Sequence, residues 1–192
     1  MSKLTDFIKV YDDAIPPDFC DTLVQHFDDK NVPKAKFEES YRRCHSLSTL
    51  DSSSHWGKFK GIMSELYNRY RNEIKNGTLA FANTIEAPNI FRYDPDTKNP
   101  NFFHLHTDCW NFPTATRQVS VIIYLNDVKE GGGTTFERLG LTVQPRKGRV
   151  LLFPSNILFY HKGDPPISES KYIIVSWIHF DGSGHAYRVH RL

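Results

Sequence analysis

Gln118-Val119-Ser120-Val121-Ile122-Ile123-Tyr124-Leu125, within residues 117–126, is the clearest strand in this chain of 192 residues. It is rich in the β-branched and aromatic types that favour extended backbone. Shorter strand-like segments surround it at 89–93, 101–108, 141–143, 149–153, 157–160 and 171–180. Turn-forming residues such as Asp94-Pro95-Asp96 separate them, and no helical crossover intervenes. Many short strands without crossover helices argue against a parallel α/β sheet. They predict a mostly β fold, an antiparallel sandwich or barrel with helices packed on one face.

The helices belong to the first half. Residues 7–11 read as a short strand, ended by Pro16-Pro17-Asp18, where proline suits the first turn of a helix. Phe19, Leu23, Val24 and Phe27 share one face of that helix. Ser52-Ser53-Ser54 reads as the cap of a second helix, whose apolar positions run from Trp56 to Ile74 until Asn76-Gly77 stops it. That aromatic stripe is expected to pack as core against a sheet. Residues 34–51 are locally basic, with Lys34, Lys36, Arg42 and Arg43, and read as a solvated strand or loop. No repeat, low-complexity tract or linker appears, so 1–192 is expected to form a single domain.

Composition narrows the function classes. Hydrophobic residues make up 39% and charged residues 24%, the profile of a globular chain. A net charge of +2 offers no electrostatic reason to expect nucleic acid or an acidic membrane as partner. The 14 Phe and 9 Tyr favour sheets and apolar pocket walls. Cys20, Cys44 and Cys109 are odd in number and widely spaced, so neither a disulfide framework nor a metal-binding cysteine pair is expected. The first ten residues lack a long apolar run, and no stretch approaches a membrane span. The expected location is therefore the cytoplasm.

The chemistry-bearing residues lie between Phe102 and Phe180. In a strand, residues i and i+2 share a face, so His106 and Asp108 can approach one ion together. His161, at the end of another strand, would complete a set of two imidazoles and one carboxylate. Such a set leaves coordination positions open for other ligands. His104 alternates with the same pair, so a His104–His106 ligand pair suited to zinc is a geometric rival. Lys171 follows His161 by ten residues and starts the next strand. From there an ammonium can face the ion and pair with the far carboxylate of a dicarboxylic acid.

These residues stand in an ordered set of motifs. They are His106-Thr107-Asp108, Tyr124-Leu125-Asn126, the turn from Glu130 through Gly131-Gly132-Gly133 to Phe136, Pro145-Arg146-Lys147-Gly148, and His161, Lys171 and Trp177. Together they resemble the 2-oxoglutarate and Fe(II)-dependent oxygenases, and within them the prolyl 4-hydroxylase-like branch, over about half the chain. The resemblance implies a double-stranded β-helix (jelly roll) core with the N-terminal helices on one sheet. It implies that His106, Asp108 and His161 hold Fe(II) and that Lys171 pairs with 2-oxoglutarate. Tyr124 and Tyr93 are implied as further cosubstrate-binding residues, with Thr134 and Trp177 lining the same pocket.

The implied reaction is hydroxylation of an unactivated C–H bond with O2, ascorbate serving as a reductant. A prolyl residue in a peptide or protein leads as substrate, with the basic stretch 34–43 and the loop 94–101 expected to form the lid. Another peptidyl side chain or a free amino acid is the alternative, and a non-catalytic module sensing oxygen or 2-oxoglutarate is a third reading. Two departures stand out. Phe103 occupies a position that is often tyrosine in this branch, and the loop 94–101 is longer than usual, which suggests an entrance flap.

Overall fold

The central strand forms as β7 (Arg117–Tyr124), and every residue in it except Gln118 is buried. Val119, Val121 and Ile123 pack into one hydrophobic core, whereas Ile122 and Tyr124 enter a second. A strand covered on both faces has no solvated side, which is why it reads as a continuous apolar run. The computed structural model describes residues 3–29, 35–47, 50–75, 79, 82–180 and 189–192.

Thirteen strands and two α-helices are found among the described residues. The first half holds β1 (Lys9–Tyr11), α1 (Pro17–Asp28), β2 (Ala35–Glu39), β3 (Arg42–Leu47) and α2 (Trp56–Ile74). Next come β4 (Ala82–Glu86), β5 (Asn89–Tyr93) and β6 (Phe102–His106). After β7 follow β8 (Thr134–Phe136), β9 (Leu141–Val143), β10 (Val150–Pro154), β11 (His161–Gly163), β12 (Lys171–Phe180) and β13 (Val189–Arg191). The strands run β1-β10-β7-β12-β5-β3-β6-β11-β8-β9, with β4 beside β12, β13 beside β4 and β2 beside β3. All strand pairings among the described residues are antiparallel. The sheet curls so that Ile122 of β7 and Ile173 of β12 line one chamber with His161 of β11 and Thr134 of β8.

The two cores explain the layering. Phe19, Cys20, Leu23 and Phe27 of α1 and Phe59, Met63, Tyr67 and Tyr70 of α2 pack on the outer face of the sheet. Val24 of α1 is only half-buried, and Cys20 takes the place expected for it. The second core, with Tyr93, Tyr124, Phe136 and Phe153, fills the inside of the roll. Fully burying a side chain of this size contributes about 1.5–3 kcal/mol.

Several local expectations are corrected. Helix α2 starts after His55 without a side-chain cap. Ser53 instead donates to the Leu50 carbonyl at 2.6 Å and closes a 3-10 turn at Leu50–Ser52. Residues 157–160 do not form a strand: Ile157–Phe159 is a 3-10 turn in which the Asn156 side chain accepts from the Leu158 amide. His161 begins β11 rather than ending a strand. The basic segment forms the β2–β3 hairpin, and β4 was not anticipated at all. Lys34 and the Asn76-Gly77 helix stop lie outside the described residues. No helix is long and apolar enough to cross a membrane, among the described residues.

Candidate metal centre

β6 and β11 carry the histidines, and their register explains how they meet. His161 pairs with His106 and Gly163 with Phe103, so two steps on β11 face three on β6. The extra residue is a β-bulge, and it reverses the in–out alternation at that point. Phe103 and His106 therefore share the inner face, stacked with ring centroids 3.7 Å apart. His104 is exposed, against Phe102, and takes no part in the cluster. Asp108 lies beyond the strand end in a bend, so it joins His106 through the loop and not through strand alternation.

His106, Asp108 and His161 offer ligand atoms that all lie within 4.8 Å of one another. His106 Nε2 is 3.6 Å from Asp108 Oδ1, and His161 Nε2 is 3.7 Å from Asp108 Oδ2. Donors placed about 2.1 Å from one ion at right angles lie roughly 3 Å apart, so a modest contraction suffices. Each imidazole is oriented from behind. His106 Nδ1–H donates to the His104 carbonyl at 2.7 Å, and His161 Nδ1–H donates to the Phe159 carbonyl at 3.1 Å. Both Nε2 lone pairs then face the cluster, the tautomer a metal requires.

The carboxylate is held as closely. Ser120 Oγ donates to Asp108 Oδ2 at 2.6 Å and is itself 2.9 Å from Ser155 Oγ. Arg117 Nη1 donates to the Asp108 carbonyl at 3.3 Å and is locked by Glu86 at 2.9 Å. Burial alone would raise the Asp108 pKa. His161, His106 and the Ser120 hydrogen bond prevail and hold it well below the usual carboxylate range. Burial pushes His161 down to about 4, helped by His106 and opposed by Asp108. A neutral imidazole beside an ionised carboxylate is the donor set that a divalent ion takes.

Behind the triad lies an inner chamber, where Lys171 is 2% exposed. Its Nζ donates to the Gly132 carbonyl at 2.9 Å and sits 4.6 Å from the Tyr93 ring centroid. The glycine turn makes this possible. Gly131 and Gly132 have φ of 75° and 71°, and a Cβ on Gly131 would collide with the Pro165 carbonyl oxygen. Burial lowers the Lys171 pKa to about 8, with Asp164 opposing and Arg42 reinforcing the shift.

The other expected pocket residues divide. Tyr93, Thr134 and Trp177 line the chamber. Trp177 Nε1 is buried without a hydrogen-bond partner, a free donor that an acidic cosubstrate would satisfy. Tyr124 stands behind Thr134, donating to its Oγ1 at 2.7 Å, and does not line the chamber. The residues present thus fit Fe(II) and a dicarboxylate: a triad of suitable donors, a buried cation and an unused donor in one chamber.

Above the triad, a cavity of about 770 Å³ opens between Tyr41, Phe91, Trp110, Tyr160 and Trp177. The 94–101 loop lines a different depression, with Pro165, Pro166 and Ile167, and does not border this cavity. The β2–β3 hairpin supplies the wall instead. Ser120, Arg117 and Glu86 were not singled out for the site from the sequence, and Arg42 only as part of the basic stretch expected in the lid. Alternation along β3 could have marked Arg42, since Arg42, Cys44 and Ser46 share one face, opposite Arg43 and His45.

A curled antiparallel sheet enclosing two histidines, one carboxylate and a buried lysine defines the class: a double-stranded β-helix with a candidate facial triad. Residues 88–179 match the model of the 2OG-Fe(II) oxygenase superfamily. That family uses Fe(II), 2-oxoglutarate and O2. The chain is 38% identical over 93 residues to procollagen-lysine,2-oxoglutarate 5-dioxygenase 1 of Mus musculus, covering 46% of this chain and 12% of that protein. Prolyl 4-hydroxylase subunit alpha-1 of Gallus gallus is 33% identical over 143 residues, 68% of this chain and 27% of that one. The chain thus spans only a minor part of these relatives. In fold it resembles the viral collagen prolyl hydroxylase of Paramecium Bursaria Chlorella virus-1 in its 2-oxoglutarate complex. The TM-score is 0.72 at 20% identity, over 91% of this chain and 97% of that one.

Proposed function

We propose that this protein is a 2-oxoglutarate- and Fe(II)-dependent dioxygenase that hydroxylates a peptidyl side chain, with proline the leading target. The carrying observation is the meeting of His106, Asp108 and His161 in one chamber with Lys171. Bound Fe(II) would supply the oxidising chemistry, with 2-oxoglutarate and O2 consumed, succinate and CO2 released, and one oxygen atom passed to a C–H bond. His106, Asp108 and His161 would hold the metal. Lys171 would neutralise the far carboxylate of the cosubstrate, with the Thr134 hydroxyl in the same chamber as a further donor.

The remaining residues orient the substrate and limit water. Phe91, Phe103 and Trp177 wall the approach to His106 with apolar surface. Trp110, which is 72% exposed, borders the outer cavity, and Phe112, which is 94% exposed, lies on the same loop. Aromatic rims of this kind suit an extended peptide. The procollagen-lysine relatives favour a second reading, a lysyl side chain.

Purified protein supplied with Fe(II), ascorbate, 2-oxoglutarate and matched prolyl and lysyl peptides separates these readings. Prolyl hydroxylation predicts succinate release with the mass of one oxygen added to the prolyl peptide alone. Addition only to the lysyl peptide supports the second reading. Cosubstrate binding without oxygen transfer to any peptide would favour a sensing module.

A further inference from the structure

Arg42 has no role in the chemistry above, yet it projects from β3 into both the inner chamber and the outer cavity. It pairs across the sheet with Phe103, which places it on the inner face of the roll. Its guanidinium carbon lies 3.7 Å from the Phe91 ring centroid and 4.4 Å from that of Phe103. Arg42 Nε and Nη2 donate to the Tyr93 hydroxyl at 3.2 and 2.9 Å. No carboxylate pairs with it among the described residues. The neighbouring charges are already matched: Arg117 with Glu86, and Lys162 with Glu137 and Asp164.

We propose that Arg42 is a specificity residue that receives a carboxylate of the substrate, close to the carbon that is hydroxylated. This rests on the dioxygenase reading. With the site filled, the charges of the metal dication and Lys171 are matched in sum by dianionic 2-oxoglutarate and Asp108. Arg42 is then the cation left over at the junction of the two chambers. A cation taken partly out of water without a counter-charge is costly, and a carboxylate ligand removes that cost. The aromatic rings fix the guanidinium plane, and with the Nε–Nη2 edge turned to Tyr93, the Nη1–Nη2 end is the one that meets a carboxylate. The same charge repels a lysyl ammonium and accordingly disfavours the lysyl reading.

The test uses acetylated and amidated prolyl pentapeptides that carry Glu or Gln beside the proline. They are titrated by tryptophan fluorescence into protein loaded with Zn(II) and 2-oxoglutarate, so that binding is read without turnover. Wild type is expected to prefer a Glu peptide over its Gln partner by about tenfold or more. Arg42→Met should abolish that preference, and Arg42→Lys should restore part of it. Zn(II) and 2-oxoglutarate affinities, with thermal melting, check that each variant is folded. Equal affinity of wild type for each Glu/Gln pair, including no binding by either, overturns the proposal. So does an Arg42→Met variant that loses 2-oxoglutarate but keeps the Glu preference, which would assign Arg42 to the cosubstrate. Wild type that cannot hold Zn(II) and 2-oxoglutarate overturns the dioxygenase reading, and the proposal with it.

Discussion

Lys171 combines a buried ammonium with the task of holding an acid, and the two make opposite demands. Burial drives its pKa down to about 8 in the ligand-free fold, whereas an unfolded lysine titrates near ~10.4. The unfolded chain therefore binds more protons between those values. Stability of the ligand-free protein should rise from pH 8 to about 10.5, by on the order of 3 kcal/mol, with the penalty fully present below pH 8. Lys171→Met should flatten this part of the pH–stability curve, and urea titration across that range checks it. Cosubstrate binding runs the other way: above pH 8, 2-oxoglutarate affinity should fall by up to about tenfold per pH unit, until the pKa of the complex is passed. Ser120 makes the second residue-scale prediction. Ser120→Ala removes the 2.6 Å hydrogen bond to Asp108 and should weaken metal binding by roughly 10–100-fold while costing about 1 kcal/mol of stability. Unchanged metal affinity by competition titration would deny Ser120 that role.

At the scale of elements, the motif residues and the longer strands, β5, β6, β7, β10 and β12, were legible because their signals are local. Residue type, spacing and the apolar run of β7 all survive in one dimension. The bulge in β6 is not local, since it exists only in the register between β6 and β11. Period-two reasoning placed His104, His106 and Asp108 on one face, but the extra residue turns His104 outward and the strand ends before Asp108. The hairpin was legible in part, for a related reason. A solvated strand describes the mostly exposed β2, but of two adjacent arginines on β3 the sequence did not show that Arg42 meets the aromatic wall of the roll, on the face opposite Arg43. The glycine turn was visible as a motif, and the structure supplies its cause. Gly131→Ala should cost at least about 1–2 kcal/mol from its positive φ, and more from the collision with Pro165. It should also loosen 2-oxoglutarate, because the neighbouring Gly132 carbonyl anchors Lys171. Wild-type stability and cosubstrate affinity in this variant would contradict the account of the turn.

For the whole molecule, the division into two cores is the organising fact. One core welds the helices to the outside of the sheet, and the other fills the roll beside the chamber. The site lies inside the curl, where strands distant in sequence converge. The central claim is that His106, Asp108 and His161 hold one Fe(II), with 2-oxoglutarate gripped by Lys171. Anaerobic calorimetry of 2-oxoglutarate binding, with and without Fe(II), tests it most directly. Wild type should bind only with the metal, His106→Ala and Asp108→Ala should lose that Fe(II)-dependent binding, and Lys171→Ala should keep Fe(II) while binding 2-oxoglutarate more weakly. Wild-type 2-oxoglutarate binding in both His106→Ala and Asp108→Ala would contradict the claim.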